Sequence, residues 1–170
     1  KAQTYTGQAY DIDKAAAALE QSACPVLLTG GGVILSGMAE PLREIVEKTR
    51  IPVVTTLMGK GAVADTYDAH LGMVGMHGSY AANMAVTNCD LLIAVGARFD
   101  DRVTCDVENF APNAQIVHFD IDKVEINKIV RADISINGDL RWSLPLFSRK
   151  VSPSAVGFSA RQADLPDTVP

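Results

Sequence analysis

Residues 89–103 read CDLLIAVGARFDDRV. Leu91 to Val95 is an unbroken apolar run, the pattern of a parallel strand covered on both faces. Gly96 ends it, and a residue without Cβ lets the backbone turn sharply or approach a ligand closely. Arg98, Asp100, Asp101 and Arg102 follow at once. In an open α/β sheet ligands sit outside the carboxyl ends of the strands. Two guanidinium groups at such an end suit a phosphate or a carboxylate. The stretch therefore predicts a buried strand that feeds an anion-binding loop.

The segments on either side repeat the same alternation. Ile12, Ala15, Ala16 and Leu19 fall on one helical face, which predicts a helix from an N-cap at Asp11 or Asp13 to Ala23. A short strand, Val26 to Leu28, runs into Gly30, Gly31 and Gly32. A second helix opens at Ser36 or Gly37, carries Pro41 in its first turn, and presents Leu42, Ile45 and Val46 on one face. Pro52 starts the next strand, Val53 to Leu57. Residues 62–78 are expected to form a long loop, and Ser79 to Asn88 a helix. Gln115 to Phe119 is a further strand, followed by a short helix over Val124 to Val130 and a last strand at Ile134 and Ile136. Repeated βα units predict a doubly wound, mostly parallel six-stranded sheet with helices on both faces. Residues 1–10 are read as a linker, 11–145 as the folded domain, and 146–170, rich in Ser and Pro, as a linker or disordered tail.

Composition narrows the function. The 170 residues suit one domain, and the net charge of −5 offers no basic stripe for nucleic acid. No apolar run approaches the length of a membrane span. Cys24, Cys89 and Cys105 lack any CxxC spacing and read as free thiols in a reducing compartment. The chain starts at Lys1 without a methionine and is expected to be a piece of something larger.

Gly30–Gly32 lies between a strand and a helix, where loop amides can cradle a phosphate. The alternative is a tight turn that needs positive φ. A dinucleotide fingerprint, G-x-G-x-x-G with an acid about 20 residues on, is not met. Leu35 stands in the third glycine position, and the next strand ends in Thr56 and Leu57. Lys60 sits between glycines, but Ala62 after Gly61 breaks the P-loop pattern. His70, His77 and His118 show no metal-ligand spacing, so no metal site is expected. Asp120 ends a strand, where an acid can accept from ribose hydroxyls, and Asp122 suits the N-cap of the helix expected after it. Gly138 and Asp139 end the last strand in the same way. No nucleophile–base pair is present, so no catalytic residue is assigned. The residues describe a binder of an anionic nucleotide with no chemistry of its own.

Four segments, PVVTTLMGKGA (52–62), LGMVGMHGS (71–79), CDLLIAVGARFDDRV and VHFDID (117–122), closely resemble the acetolactate synthase (acetohydroxyacid synthase) large subunit. The resemblance spans about Asp11 to Asp139. It implies the central, FAD-binding domain of a three-domain, thiamine-diphosphate-dependent enzyme. Such an enzyme condenses two pyruvates, or pyruvate with 2-oxobutyrate, in branched-chain amino-acid synthesis, and its FAD takes no net redox part. Carried over by motif, Gly30, Gly31 and Gly32 would lie along the ribityl–phosphate region of FAD. Thr56, Leu57 and Met58 would line the flavin with Val74, Gly75, Met76 and His77. Gly96, Ala97, Arg98, Asp100, Arg102 and Val103 would hold the ribityl and pyrophosphate portion. Asp120, Ile121 and Glu125 would approach the adenosine, with Gly138 and Asp139 at the adenine end. Asp101 and Arg102 would also face the substrate channel, where herbicides of the family bind. Thiamine diphosphate and Mg²⁺ would be bound by other domains, so this segment alone should not catalyse. A homodimer or tetramer of full-length subunits, with a possible small regulatory subunit, is implied. So is a cytoplasmic location in bacteria, or a plastid or mitochondrial one in eukaryotes. Two alternatives stand beside this: a stand-alone NAD- or nucleotide-binding module, and the middle domain of an FAD-free thiamine-diphosphate enzyme.

Overall fold

The computed structural model describes residues 7–153. Six strands form one sheet: β1 (Pro25–Thr29), β2 (Val53–Thr55), β3 (His70–Met73), β4 (Leu91–Val95), β5 (Gln115–Asp120) and β6 (Ile134–Asn137). Their order is β3-β2-β1-β4-β5-β6, and every adjacent pair is parallel. The order reverses between β1 and β4, the topological switch point of a doubly wound sheet.

Alternation along the strands divides the core in two. Leu27, Val53, Ile93, Val95, Val117 and Phe119 pack with α1 (Ala9–Gln21), α3 (Ala39–Thr49) and α6 (Leu140–Lys150). Val26, Leu28, Val54, Leu92, Ala94 and Ile116 pack with α4 (Tyr80–Asn88), Phe99 and Phe110 on the other face. β1 and β4 are wholly buried, which is why both read as continuous apolar runs. Their amino ends are latched by Asp90, which accepts from the Ser22 hydroxyl and from the amides of Ala23 at 2.7 Å and Cys24 at 2.9 Å. Burial pushes the Asp90 carboxyl up, but these donors outweigh it and hold it below its ordinary range.

Several local expectations are corrected. The first helix starts at Ala9, inside the expected linker, with Gln8 as N-cap and no side-chain cap from Asp11 or Asp13. The 62–78 segment is not all loop, because His70–Met73 is the edge strand β3. The glycine run leads straight into a short helix, α2 (Gly31–Leu35), and α3 begins after Met38 rather than at Ser36 or Gly37. β2 stops at Thr55, and Leu57–Gly59 forms a 3₁₀ turn, α-helical in neither length nor bonding. No helix forms over Val124–Val130; Asn127 takes φ +63° there, and Asp120 and Asp122 carboxylates accept from amides two residues on.

The largest correction is α6, which runs across the boundary placed at residue 145 and on to Lys150. Asp139 caps it, and Leu140, Ser143, Leu144 and Phe147 are buried at i, i+3, i+4 and i+7. Pro145 removes one helical amide, and the buried face holds the helix nonetheless. The tail from residue 154 and linker residues 1–6 lie outside the described residues.

Phe147 meets Phe119 edge to face, ring centroids 5.3 Å apart, and both are fully buried. Phe147→Ala should therefore cost about 3–5 kcal/mol of stability. A urea titration should show the loss as a lower midpoint at unchanged slope.

Candidate functional site

The site is built where the carboxyl ends of β1 and β4 separate. Two loops, 30–32 after β1 and 96–98 after β4, touch backbone to backbone there. The Gly30 amide donates to Val95 O at 3.0 Å and the Gly32 amide to Gly96 O at 2.9 Å. A Cβ on Gly30 would stand 2.3 Å from Gly96 O, and one on Gly32 2.8 Å from Gly96 Cα. Neither Gly30 nor Gly31 nor Gly32 has positive φ, whereas Gly96 does, at +57°. The positive-φ alternative for this run is thus overturned. The glycines are set by close loop packing, and two of the three amides already have protein partners.

Beyond Gly96 the chain alternates strictly. Ala97 and Phe99 are buried, and Arg98 and Asp100 are exposed. Asp100 caps a single helical turn, α5 (Asp101–Thr104), accepting from the Val103 amide at 3.1 Å. Asp101 and Arg102 point to solvent from that turn, and Val103 packs inward. The 74–78 loop lies against it: the Met76 amide donates to Arg102 O at 3.1 Å, and Gly75 has φ +111° with only 2.2 Å between a would-be Cβ and Arg102 O. The fold therefore brings the GMHG and GARFDDRV segments together.

Asn83, which the sequence did not single out, clamps that loop. Its side chain accepts from the Gly75 amide at 2.8 Å and donates to Gly75 O at 3.0 Å. Its signal lay in an α4 position one turn from the Ser79 cap, on the face toward the glycines.

Leu57, Met58 and Met76 are exposed by 68%, 74% and 65%, an apolar rim at the carboxyl ends of β2 and β3. Thr56 is buried and caps the 3₁₀ turn through Gly59 N. His77 is exposed and Val74 buried. Beside Thr55 and Met73 opens a cavity of about 290 Å³ that also touches Lys60 and His70. His70 sits 3.5 Å from Asp65, and burial lowers its pKa.

Asp120 lies on the other side of the switch point, 8% exposed at the end of β5. Burial raises its pKa most, against the Asp122 amide, His118 and Arg98, which lower it. Ile121 is exposed and Glu125 half-buried, paired with Lys128 at 2.9 Å. Gly138 N donates to Asp120 O at 3.0 Å. Asp139 is otherwise engaged: it is 2% exposed, caps α6 and is paired to Arg141 at 2.5 Å, which holds its carboxyl low. That pairing makes it part of the scaffold. Among the described residues no cluster of His, Cys, Asp or Glu could hold a metal ion, and no helix is long and apolar enough to cross a membrane. Cys89 is buried with its thiol pushed up to about 12, chiefly by desolvation, while Cys105 is exposed.

Around the switch point the arrangement combines an apolar rim on one side, two exposed arginines in the middle and a buried acid on the other.

The family model for the thiamine pyrophosphate enzyme central domain matches residues 12–146. The chain belongs to that family. As a central domain it is 56% identical, over 135 residues, to a Methanocaldococcus jannaschii protein named "Probable acetolactate synthase large subunit", covering 79% of this chain and 23% of that protein. It is 52% identical over 137 residues to the acetolactate synthase large subunit of Parasynechococcus marenigrum, covering 78% and 22%. Against acetolactate synthase isozyme 2 large subunit of Escherichia coli K12 it is 46% identical over 142 residues, covering 84% and 26%. The chain spans about a quarter of the length of the curated relatives it matches.

Two stability predictions follow from the central domain's geometry. Because the Asp120 pKa is raised in the folded state, its neutral form favours folding. That contribution is fully present below the unfolded carboxylate value of about 3.9 and is lost as pH rises through the folded value. Asp120→Asn should match the parent at low pH and exceed it near neutrality, in denaturant midpoints taken across that range. Cys105 holds φ +55° and ψ −80° on an exposed turn. Relief of that strain should let Cys105→Gly gain about 1 kcal/mol, net of glycine's entropy, in thermal unfolding.

Proposed function

We propose that this central domain binds FAD in the large subunit of an acetolactate synthase. The supporting observation is the β1–β4 switch point, with Leu57, Met58 and Met76 exposed on one flank and Arg98 and Arg102 exposed beside it. Exposed methionines and a leucine are costly in water and suit the face of a flat ring. Guanidinium groups suit a pyrophosphate, and a carboxylate at the end of β5 suits a ribose. The residues present therefore fit the group.

In this reading Thr56, Leu57, Met58, Val74, Gly75, Met76 and His77 form the flavin side. Gly30, Gly31, Gly32, Gly96, Ala97, Arg98, Asp100, Arg102 and Val103 form the ribityl–pyrophosphate side. Asp120, Ile121, Glu125 and Gly138 form the adenosine side, and Asp139 supports them by fixing the start of α6. Asp101 and Arg102, both exposed on the α5 turn, would border the substrate channel. Bound FAD would supply no net redox chemistry, and this domain's part is to hold it and shape one wall of the reaction chamber.

The thiamine diphosphate and Mg²⁺ of the whole enzyme would be bound outside residues 7–153. The whole enzyme would join two pyruvates, or pyruvate and 2-oxobutyrate, with loss of carbon dioxide. It would work as a dimer or tetramer with a possible small regulatory subunit, in the cytoplasm if bacterial.

The full-length protein should show flavin absorbance and form acetolactate from pyruvate when given thiamine diphosphate and Mg²⁺. Arg98→Ala should weaken FAD binding about 10- to 100-fold, the loss of one charge-assisted contact. Flavin fluorescence titration measures it. Unchanged affinity would remove Arg98 from the pyrophosphate site, and a thermal shift with NAD but not FAD would overturn the cofactor reading.

A further inference from the structure

His118 is fully buried, yet it is no core hydrophobe, and among the described residues it belongs to no cluster that could hold a metal ion. It projects from β5 between its register partners Ala94 of β4 and Ser135 of β6, whose small side chains leave room for a ring. Its Nε2 lies 2.9 Å from Ala97 O and 3.7 Å from Asp120 Oδ2. The ring meets Phe99 edge to face with centroids 4.9 Å apart, and Phe99 in turn meets Phe110 at 5.8 Å.

We propose that His118 is a positioning residue for the nucleotide, a neutral imidazole that pins Ala97 and Phe99 inward and so turns Arg98 outward beside the β4–β5 ends. The proposal rests on the reading that the 97–103 loop holds FAD.

The protonation state follows from the partners. A carbonyl only accepts, so Nε2 must carry the proton and donate it to Ala97 O. Nδ1 then keeps its lone pair, and it is buried without a partner. Burial lowers the His118 pKa most strongly, against the pull of the Ala97 carbonyl, Asp120 and Glu125. Arg98 and Asp122 also act on Asp120 beside it. The ring is thus neutral at neutral pH, and its contact with Asp120 is not an ion pair.

An apolar side chain would fill the same space without an orphaned nitrogen, but it would leave the Ala97 carbonyl without this donor. What the imidazole supplies is orientation. One hydrogen bond fixes the first residue after Gly96, and one ring contact fixes the third. With both neighbours held inside, the Arg98 side chain has only the solvent side available, above the β4–β5 ends and near Asp120. His118 therefore sets the direction of Arg98 and stands against the Asp120 carboxylate from a place that touches no ligand itself.

The test uses the full-length protein, with FAD affinity from fluorescence quenching and amide exchange across residues 97–103. His118→Phe should weaken FAD at least about tenfold, through a misplaced arginine rather than a missing one, and should speed exchange in the loop. His118→Gln, whose amide can still donate to Ala97 O, should return affinity to within about threefold of the parent. The parent's affinity should stay flat between about pH 7 and 8, above the ordinary imidazole value that burial lowers further. If the Phe variant fails to fold, His118→Leu takes its place. Parent-like affinity in the apolar variant overturns the proposal, as does a glutamine variant as weak as the apolar one. Affinity that falls with rising pH in the parent and not in the glutamine variant also overturns it, by showing a cationic role. If the full-length parent binds no FAD, the cofactor reading fails instead, and the exchange arm alone decides whether His118 holds the loop.

Discussion

The backbone contact between Gly30–Gly32 and Gly96 is the constraint on which the rest of the site depends. Two strands that leave the sheet side by side, β1 and β4, must send their chains apart, and the loops can separate only after passing within hydrogen-bond distance. Any Cβ on Gly30 would stand 2.3 Å from the Gly96 carbonyl. The contact fixes where the two loops part and which way each leaves the sheet. Asp90 performs the matching task at the opposite ends of the same two strands, gathering the Ser22 hydroxyl and two amides. The pair of strands is thereby held at both ends, and the loops between carry little freedom of their own.

From that fixed start the site gives up stability in identifiable places. Large apolar side chains at 57, 58 and 76 stand in solvent. Asp120 is buried with its pKa raised, and His118 carries an unpartnered nitrogen. Cys105 holds a backbone conformation that suits glycine. Each is a local cost, and they gather at the carboxyl ends of the strands and the loops that follow them. The opposite face, with α1, α3 and α6 packed over β1, β4 and β5, shows regular burial at helical spacing. That face carries costs of its own, since the buried Ser143 hydroxyl on α6 has no partner and Arg50 at the end of α3 takes φ +57°.

Legibility in the sequence followed burial. β1 and β4 are covered on both faces, so their apolar runs were unmistakable. α1 and α3 were read from Ile12–Leu19 and Leu42–Val46, whose spacing is undiluted. β3 was missed because all four of its residues are half-buried and Gly72 has φ +99°, which leaves no alternation to read. α6 was missed because Pro145 and two serines obscure a buried face that Leu140, Leu144 and Phe147 nonetheless carry. The helix expected at Val124–Val130 failed for the converse reason. Its apolar residues have a helical look, but Val124 and Ile129 are exposed, and Asp120, Asp122 and Asn127 spend their side chains on local amides.

The sequence by itself determined the α/β class, the position of the charged loop after β4, and the family, because these rest on local runs and on unbroken motifs. Only the tertiary structure decided how the motifs meet. It placed GMHG against Arg102, clamped that loop with Asn83, paired the buried Asp139 with Arg141, and explained the glycine run by a neighbour 64 residues away rather than by its own φ. The physical reason is that packing contacts between loops, and the burial that moves a pKa, depend on which strands lie side by side. That order is a property of the whole sheet and is written in no single segment.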